Sequence, residues 1–72
     1  MKRIFKVKEI ISILLLQGWY LDRQNGTSHR QFKHPFIKRT VTVDGKPSVD
    51  VSPDNLKSME RQSGLNFRDF AD

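Results

Sequence analysis

Apolar residues near the start of the chain recur with the spacing of a helix, and polar residues fill the opposite side. Gly18 is well placed as the C-terminal stop of this helix, because glycine readily adopts the left-handed conformation found there. Leu16 falls among the polar positions, so we expect it to be exposed. The predicted apolar stripe consists of Val7, Ile10, Ile11, Leu14 and Leu15.

The next segments alternate between apolar and polar residues, a pattern typical of strands with one buried face. The predicted strands cover residues 19–23, 28–33 and 39–43. Asn25-Gly26 predicts a tight hairpin between the first two strands, and Asp44-Gly45 has the composition of a turn after the third. The second strand should end at His34-Pro35, because proline cannot donate a ladder hydrogen bond. The side chains predicted to form the buried face are Trp19, Leu21, Phe32, Val41 and Val43.

A second helix is predicted from residue 53 onward. Ser52 is a preferred N-cap residue, and Pro53 fits the first helical position, where no backbone N–H is needed. Leu56 and Met59 would supply the inward face, and Gly64 would end the helix. The element order is therefore α-β-β-β-α. Packing both helices on the apolar face of the sheet leaves the other face open, which is the α+β layout of the double-stranded-RNA-binding domain.

Alternation along the second strand decides which side chains project from the open face. With Phe32 pointing inward, Ser28 and Arg30 lie on the same side as Phe32, although Arg30 is long enough to reach around the sheet edge. The residues expected on the open face are Tyr20, His29, Gln31, Lys33, Thr40 and Thr42. This set combines groups that contact phosphates with an aromatic ring on which a base can stack.

Composition adds a constraint on partners and on the cellular compartment. The chain has 72 residues, a net charge of +5 and no cysteine, so we expect one small domain without disulfides in a reducing cytosol. Between residues 23 and 43 lie five basic residues and both histidines but no acid, so no acid is expected beside His29. Such a block indicates a polyanionic partner or simply a solvated face, and charge alone does not decide between them. The apolar run over residues 10–16 is too short to span a bilayer.

His29 is the open-face residue that can exchange protons near neutral pH. A single histidine in a basic surrounding could assist attack of an RNA 2′-hydroxyl on the adjacent phosphate, with cations stabilising the charge that develops. The alternative is an exposed strand histidine without a function. His34, directly before Pro35, is interpreted as a turn residue.

No metal or cofactor site is predicted. His29 and His34 fall on opposite faces of a continuous strand, and no cysteine completes a ligand set. Asp44 and Asp54 are explained by a turn and by the first turn of a helix, so together with Asp50 they are not expected to bind Mg²⁺. The chain has no phosphate-binding loop or dinucleotide fingerprint.

A series of short segments carries a further signal through its order. The segments are Leu16-Gln17-Gly18-Trp19, Arg23-Gln24-Asn25-Gly26-Thr27-Ser28-His29-Arg30, Lys33-His34-Pro35, Val41-Thr42-Val43, Asp50-Val51-Ser52-Pro53, Leu56-Lys57-Ser58-Met59 and Gly64-Leu65. In this order they resemble the HicA toxin family of bacterial type II toxin–antitoxin modules. The resemblance predicts a toxin domain at residues 1–66 and a C-terminal tail at 67–72, whose Phe67 and Phe70 either pack on the domain or form a protein interface.

The resemblance implies an mRNA interferase, that is, a metal-independent endoribonuclease that cleaves mRNA in the cytoplasm and needs no cofactor. It also implies neutralisation by a HicB-type antitoxin, which we expect to cover the catalytic residue. The family's glycine–serine–histidine motif maps the active histidine onto His29. The residues expected to contact RNA are Tyr20, Ser28, Arg30, Gln31, Lys33, Lys38 and Arg39.

Two other functions stay open. A non-catalytic RNA-binding module would use the same layout and charge but would leave bound RNA intact. A protein-binding domain would dock an acidic partner on the basic face and use the exposed Leu16 as a hydrophobic contact.

Overall fold

The computed structural model describes residues 4–26 and 29–70 of the chain. Its elements are α1 (Val7–Leu16), β1 (Tyr20–Asn25), β2 (His29–Lys33), β3 (Thr40–Asp44), α2 (Pro53–Ser63) and a 3₁₀ helix (Phe67–Phe70). The strands form one antiparallel sheet in the order β1-β2-β3. The α-β-β-β-α order and the open three-stranded sheet expected from the sequence are therefore confirmed.

Helix α2 begins and ends as the sequence predicts. The backbone N–H of Asn55 donates to the hydroxyl of Ser52 at 3.3 Å, and Pro53 occupies the first helical position. Gly64 follows the last turn with a φ of 75°, a left-handed conformation that costs glycine little because it has no Cβ. Met59 is buried and Leu56 is partly buried against the core.

The buried face of α1 differs slightly from the prediction. Ile13 is buried, whereas Leu15, which was assigned to the apolar stripe, is exposed. Ile13 lies three residues after Ile10 and therefore on the same side of the helix. Leu16 is 75% exposed, which confirms its placement among the polar positions.

The core lies between the two helices and one face of the sheet, and it continues into the 3₁₀ helix. Phe67 is fully buried, with its ring centroid 6.5 Å from that of Phe5, whereas Phe70 stays partly exposed. Packing therefore accounts for Phe67, while the boundary at residues 66 and 67 stays a prediction. The buried apolar residues are Phe5, Val7, Ile10, Ile13, Leu14, Trp19, Phe32, Val41, Val43, Met59 and Phe67.

Strand β1 departs most from its prediction. It spans Tyr20–Asn25 rather than residues 19–23, and the buried Trp19 precedes it. Its pairing with β2 changes register between Leu21 and Arg23, so that Asp22 is the extra residue of a β-bulge. Leu21 was predicted to be buried but is 46% exposed. The physical reason is that both helices pack mainly against β3, at the opposite edge of the sheet.

Strand β3 lies one residue later than predicted, at Thr40–Asp44 instead of 39–43. Asp44 is therefore the last residue of the strand, and the loop starts at Gly45 with a φ of 101°. In β2 the described strand begins at His29, and the predicted first residue, Ser28, lies outside the described residues.

Candidate active site

Cross-strand pairing arranges the side chains of the open face in three rows. Residues that pair directly across an antiparallel sheet share a face, so each row contains one residue from each strand. The rows are Asn25–His29–Asp44, Arg23–Gln31–Thr42 and Tyr20–Lys33–Thr40. The residues that alternation assigned to this face do lie together on it.

His29 stands at one end of this face and contacts an acid. Its Nδ1 lies 2.5 Å from Oδ1 of Asp44. A carboxylate can only accept, so Nδ1 carries the proton and donates it. The other nitrogen, Nε2, has no hydrogen-bond partner among residues 4–26 and 29–70. The side chain of His29 is 64% exposed and that of Asp44 is 54% exposed, so a large substrate can reach the imidazole.

Asp44 overturns two expectations from the sequence. It is a strand residue and not a turn residue. His29 contacts an acid even though residues 23–43 contain none, because the acid is the next residue, Asp44. The pairing of Phe32 with Val41 places His29 opposite Asp44, because each step along one antiparallel strand is matched by a step back along the other. Assigning the register of the two buried residues would have predicted this contact.

Arg23 joins the open face because of the bulge. Uninterrupted alternation would put it on the same side as Leu21, but the extra residue at Asp22 reverses the sides and sets Arg23 opposite Gln31. It is then a diagonal neighbour of His29 through Asn25, within reach of a long side chain. Sequence reasoning missed Arg23, since nothing local in the chain announces a bulge there.

Arg30 lies on the opposite face from His29. Its Nη1 donates to the carbonyl oxygen of Gly45 at 3.0 Å, and the side chain is partly buried. The structure therefore does not bring Arg30 together with the other predicted RNA contacts. Ser28, also predicted to contact RNA, falls outside the described residues.

An open cleft of about 280 Å³ lies at the far end of the open face, between the start of β1 and the loop that joins β2 to β3. The cleft is lined by Tyr20 and Lys33, which pair directly across β1 and β2, and by Lys38 and Arg39. Lys33 lies four positions after His29 on one strand, so the Cα atoms of these two residues are about 13 Å apart. The structure thus gathers four of the predicted RNA contacts in one place.

The three cations of the cleft differ in their freedom. The ammonium of Lys33 lies 3.5 Å from the carboxylate of Asp22. A Cβ on Gly64 would be 3.8 Å from Nη1 of Arg39, so this guanidinium extends toward the C-terminal end of α2. Lys38 has no hydrogen-bond or ion-pair partner in the described part of the chain. Lys38 is therefore the cation most available to a ligand.

The family model described as HicA toxin of bacterial toxin–antitoxin matches residues 7–65. That range covers both α-helices, the whole sheet and His29. The chain belongs to the HicA toxin family. Among curated proteins the comparison finds no match. Membership of a toxin–antitoxin family implies that this HicA-family chain has an antitoxin as its partner.

The second histidine of this HicA-family toxin has a structural role. Nε2 of His34 donates to the carbonyl oxygen of Gln17 at 3.1 Å, and its Nδ1 accepts from the backbone N–H of Phe36 at 3.1 Å. The ring packs edge-on against Trp19 with centroids 5.3 Å apart. Nδ1 is thus engaged within the turn that follows β2, as expected for a turn residue, and Nε2 ties this turn to the end of α1.

Two kinds of feature are missing from the described residues of this toxin. Within residues 4–26 and 29–70, no three His, Cys, Asp or Glu side chains are grouped so that they could hold a metal ion. Over the same ranges, the helices fall short of the length and apolar character that a membrane crossing needs.

Proposed function

We propose that this toxin is an mRNA interferase, a metal-independent endoribonuclease in which His29 acts as general acid or base. One observation carries the proposal: the side chain of His29 is exposed, and its Nε2 lacks a partner among the described residues. The face around it holds the groups that bind phosphates and bases. The family relationship supports the same activity. Its mRNA substrate would be met in the cytoplasm.

The chemistry requires one proton acceptor at the site of attack. The 2′-oxygen of a nucleotide would attack the adjacent phosphorus as its proton passes to Nε2 of His29. The bond from phosphorus to the 5′-oxygen of the next nucleotide then breaks, and that oxygen takes up a proton from water. The imidazolium of His29 returns its own proton to the hydroxide that remains. The products would be a 2′,3′-cyclic phosphate and a 5′-hydroxyl. A positioned acid or base contributes roughly 10²–10⁴-fold, so an enzyme with one such group should be slow.

Arg23 is the cation placed to stabilise the charge that develops on the phosphate. It lies on the same face as His29, one row away. A guanidinium aimed at the phosphate oxygens lowers the barrier because the charge grows in the transition state. Gln31, between Arg23 and Thr42, would add a neutral hydrogen-bond donor.

The cleft would hold the RNA at a distance from the cleaved bond. Base stacking on Tyr20 and a phosphate contact from Lys38 are the contacts that single-stranded RNA uses without sequence preference. Lys33 and Arg39 would contribute to the local positive potential, and Ser28 to contacts beside His29. Arg30 is the weakest of the proposed contacts because its guanidinium is already bound to Gly45.

We further propose that a HicB-type antitoxin neutralises the toxin by covering the open face. The basic side chains there would attract an acidic partner. Occlusion of Nε2 of His29 is the most direct form of inhibition, because that nitrogen must approach the 2′-hydroxyl.

The decisive experiment compares the wild-type toxin with the His29→Ala variant on single-stranded RNA and on DNA of the same sequence. We expect the wild-type protein to cleave only the RNA and to leave cyclic phosphate ends. His29→Ala should lose roughly 10²–10⁴-fold in cleavage rate yet still bind the RNA. Asn25→Ala is the matched control, since Asn25 pairs directly with His29 on the same face but has no proposed role in RNA binding or proton transfer.

Two outcomes would reject the proposal. Cleavage by His29→Ala at the wild-type rate would show that the imidazole is not the acid or base. Binding of RNA by the wild-type toxin without cleavage, at any enzyme concentration, would instead support the RNA-binding module. In either case the thermal transition of each variant must match that of the wild type, so that loss of fold is not read as loss of chemistry.

A further inference from the structure

The carboxylate of Asp44 has no role in the chemistry described above, although it touches the imidazole of His29. We propose that Asp44 is a positioning residue that holds His29 in the tautomer with a free Nε2. This inference rests on the proposed function of His29 and adds a second residue to it.

The contact is built into the sheet. His29 is the first described residue of β2 and Asp44 is the last residue of β3, and they pair directly across the two strands. Their backbones are therefore held at a short distance, and the short aspartate side chain has little freedom to move away. The third residue of this row is Asn25, so Asp44 is the one acid in the row.

The contact selects one of two tautomers. A neutral imidazole carries its proton on either nitrogen, and only a nitrogen without a proton can accept one from a 2′-hydroxyl. Donation from Nδ1 to Asp44 leaves the lone pair on Nε2, the nitrogen that faces away from the acid. Without Asp44 the exposed ring would divide between both tautomers and would also rotate more freely.

Affinity for RNA does not explain an acid at this position. A carboxylate repels a phosphate bound next to it, so the charge of Asp44 should weaken RNA binding. On an exposed surface this weakening is modest. Removing the charge should therefore tighten RNA binding while it slows the reaction. A residue that merely supported the fold would not lower kcat while leaving KM the same or lower.

The experiment uses Asp44→Asn, with Asp22→Asn as the matched control. Asp22 is also an acid of this sheet paired with a basic side chain, Lys33, so both variants gain the same net charge. We expect Asp44→Asn to lower kcat by about tenfold to a hundredfold, because an amide can donate to Nδ1 and favour the wrong tautomer. Its KM should fall or stay the same. Asp22→Asn should keep its kcat.

Nitrogen NMR of the imidazoles provides a readout that does not depend on activity. The chain has two histidines, so the His29→Ala variant assigns both signals. The wild type should show His29 protonated on Nδ1, Asp44→Asn should lose that preference, and Asp44→Glu should keep it because a carboxylate remains. Asp22→Asn should leave the spectrum of His29 unchanged.

The failures of the two proposals are distinguishable. An unchanged tautomer and an unchanged kcat in Asp44→Asn would overturn the role of Asp44, whatever His29 does. An equal fall of kcat in Asp44→Asn and Asp22→Asn would also overturn it, since charge alone would then account for the loss. Full cleavage by His29→Ala would reject the proposed function, while the NMR comparison would still decide whether Asp44 orients the ring.

Discussion

The two histidines stand at the two ends of one short strand and use their nitrogens in opposite ways. His29 donates from Nδ1 to the carboxylate of Asp44, and its Nε2 has no partner among the residues that the structure describes. His34 donates from Nε2 to Gln17 and accepts on Nδ1 from Phe36, so no nitrogen remains. The same side chain is thus available for chemistry in one place and part of the framework in the other.

The comparison shows that exposure and partner type together determine what a histidine can do. A backbone N–H and a backbone carbonyl satisfy both nitrogens of His34, and Trp19 covers one side of its ring. On the open face, Asp44 is the one hydrogen-bond partner of the His29 ring within the described part of the chain. Substitutions should therefore separate the two sites: changes near His34 act on stability, and changes around His29 act on RNA.

The largest effect on stability is expected for His34→Ala. The variant loses two hydrogen bonds and the edge-on contact with the buried Trp19, which together should lower the free energy of unfolding by about 2–3 kcal/mol. For a domain of this size the melting temperature should fall by roughly 10 °C or more. Thermal unfolding followed by circular dichroism measures the change.

His29→Ala is the matched control for this prediction, because it truncates an exposed histidine at the other end of the strand. Its free energy of unfolding should stay within about 0.5 kcal/mol of the wild type. The contrast between the two histidines fails if both variants lose equal stability. It also fails if folded His34→Ala, assayed below its melting temperature, has lost cleavage to the same degree as His29→Ala.

A smaller loss is expected for Gly18→Ala, which tests how closely the backbone approaches His34. Gly18 has a φ of 93°, and a Cβ there would lie 3.0 Å from Nε2 of His34. The backbone strain and the displaced imidazole together should destabilise the protein by about 1–2 kcal/mol. Urea unfolding gives the value.

Gly26→Ala serves as its control, since Gly26 also has a positive φ of 64° but no atom of the described residues within 4 Å of the added Cβ. This variant carries only the conformational cost of about 1 kcal/mol. A loss in Gly18→Ala no greater than that in Gly26→Ala would mean that His34 yields to the new methyl group without cost.

The smallest effect is expected for Tyr20→Ala, and it concerns RNA rather than stability. Tyr20 is on the face of His29 but lines the cleft together with His34, so it connects the two regions. Loss of one stacked base should weaken binding of single-stranded RNA by about 1 kcal/mol, roughly fivefold in Kd. Binding is measured in the His29→Ala background to keep the RNA intact. Tyr20→Phe should bind normally, and equal weakening in both variants would argue against stacking.

Much of the fold could be predicted because its signals are local. The N-cap at Ser52 and the glycine stops at Gly18 and Gly64 each depend on residues that are neighbours in the chain. The outward placement of His29 required only the alternation of one strand around Phe32.

The candidate site was predicted less completely because two of its members depend on pairing between strands. Arg23 reaches the open face only through the bulge at Asp22, and Asp44 meets His29 only in the register that β2 and β3 adopt. A strand end shifted by one residue was enough to assign Asp44 to a turn, and the bulge that the sequence did not announce was enough to leave Arg23 out.

The sequence by itself therefore determined the order of elements, the basic open face and the histidine that projects from it. Only the tertiary structure decided which acid orients that histidine, which arginine stands near it, and why the other histidine is unavailable. The physical reason is that helix ends, turns and alternation are properties of adjacent residues, whereas bulges, register and the packing of His34 on Trp19 arise from contacts between distant parts of the chain.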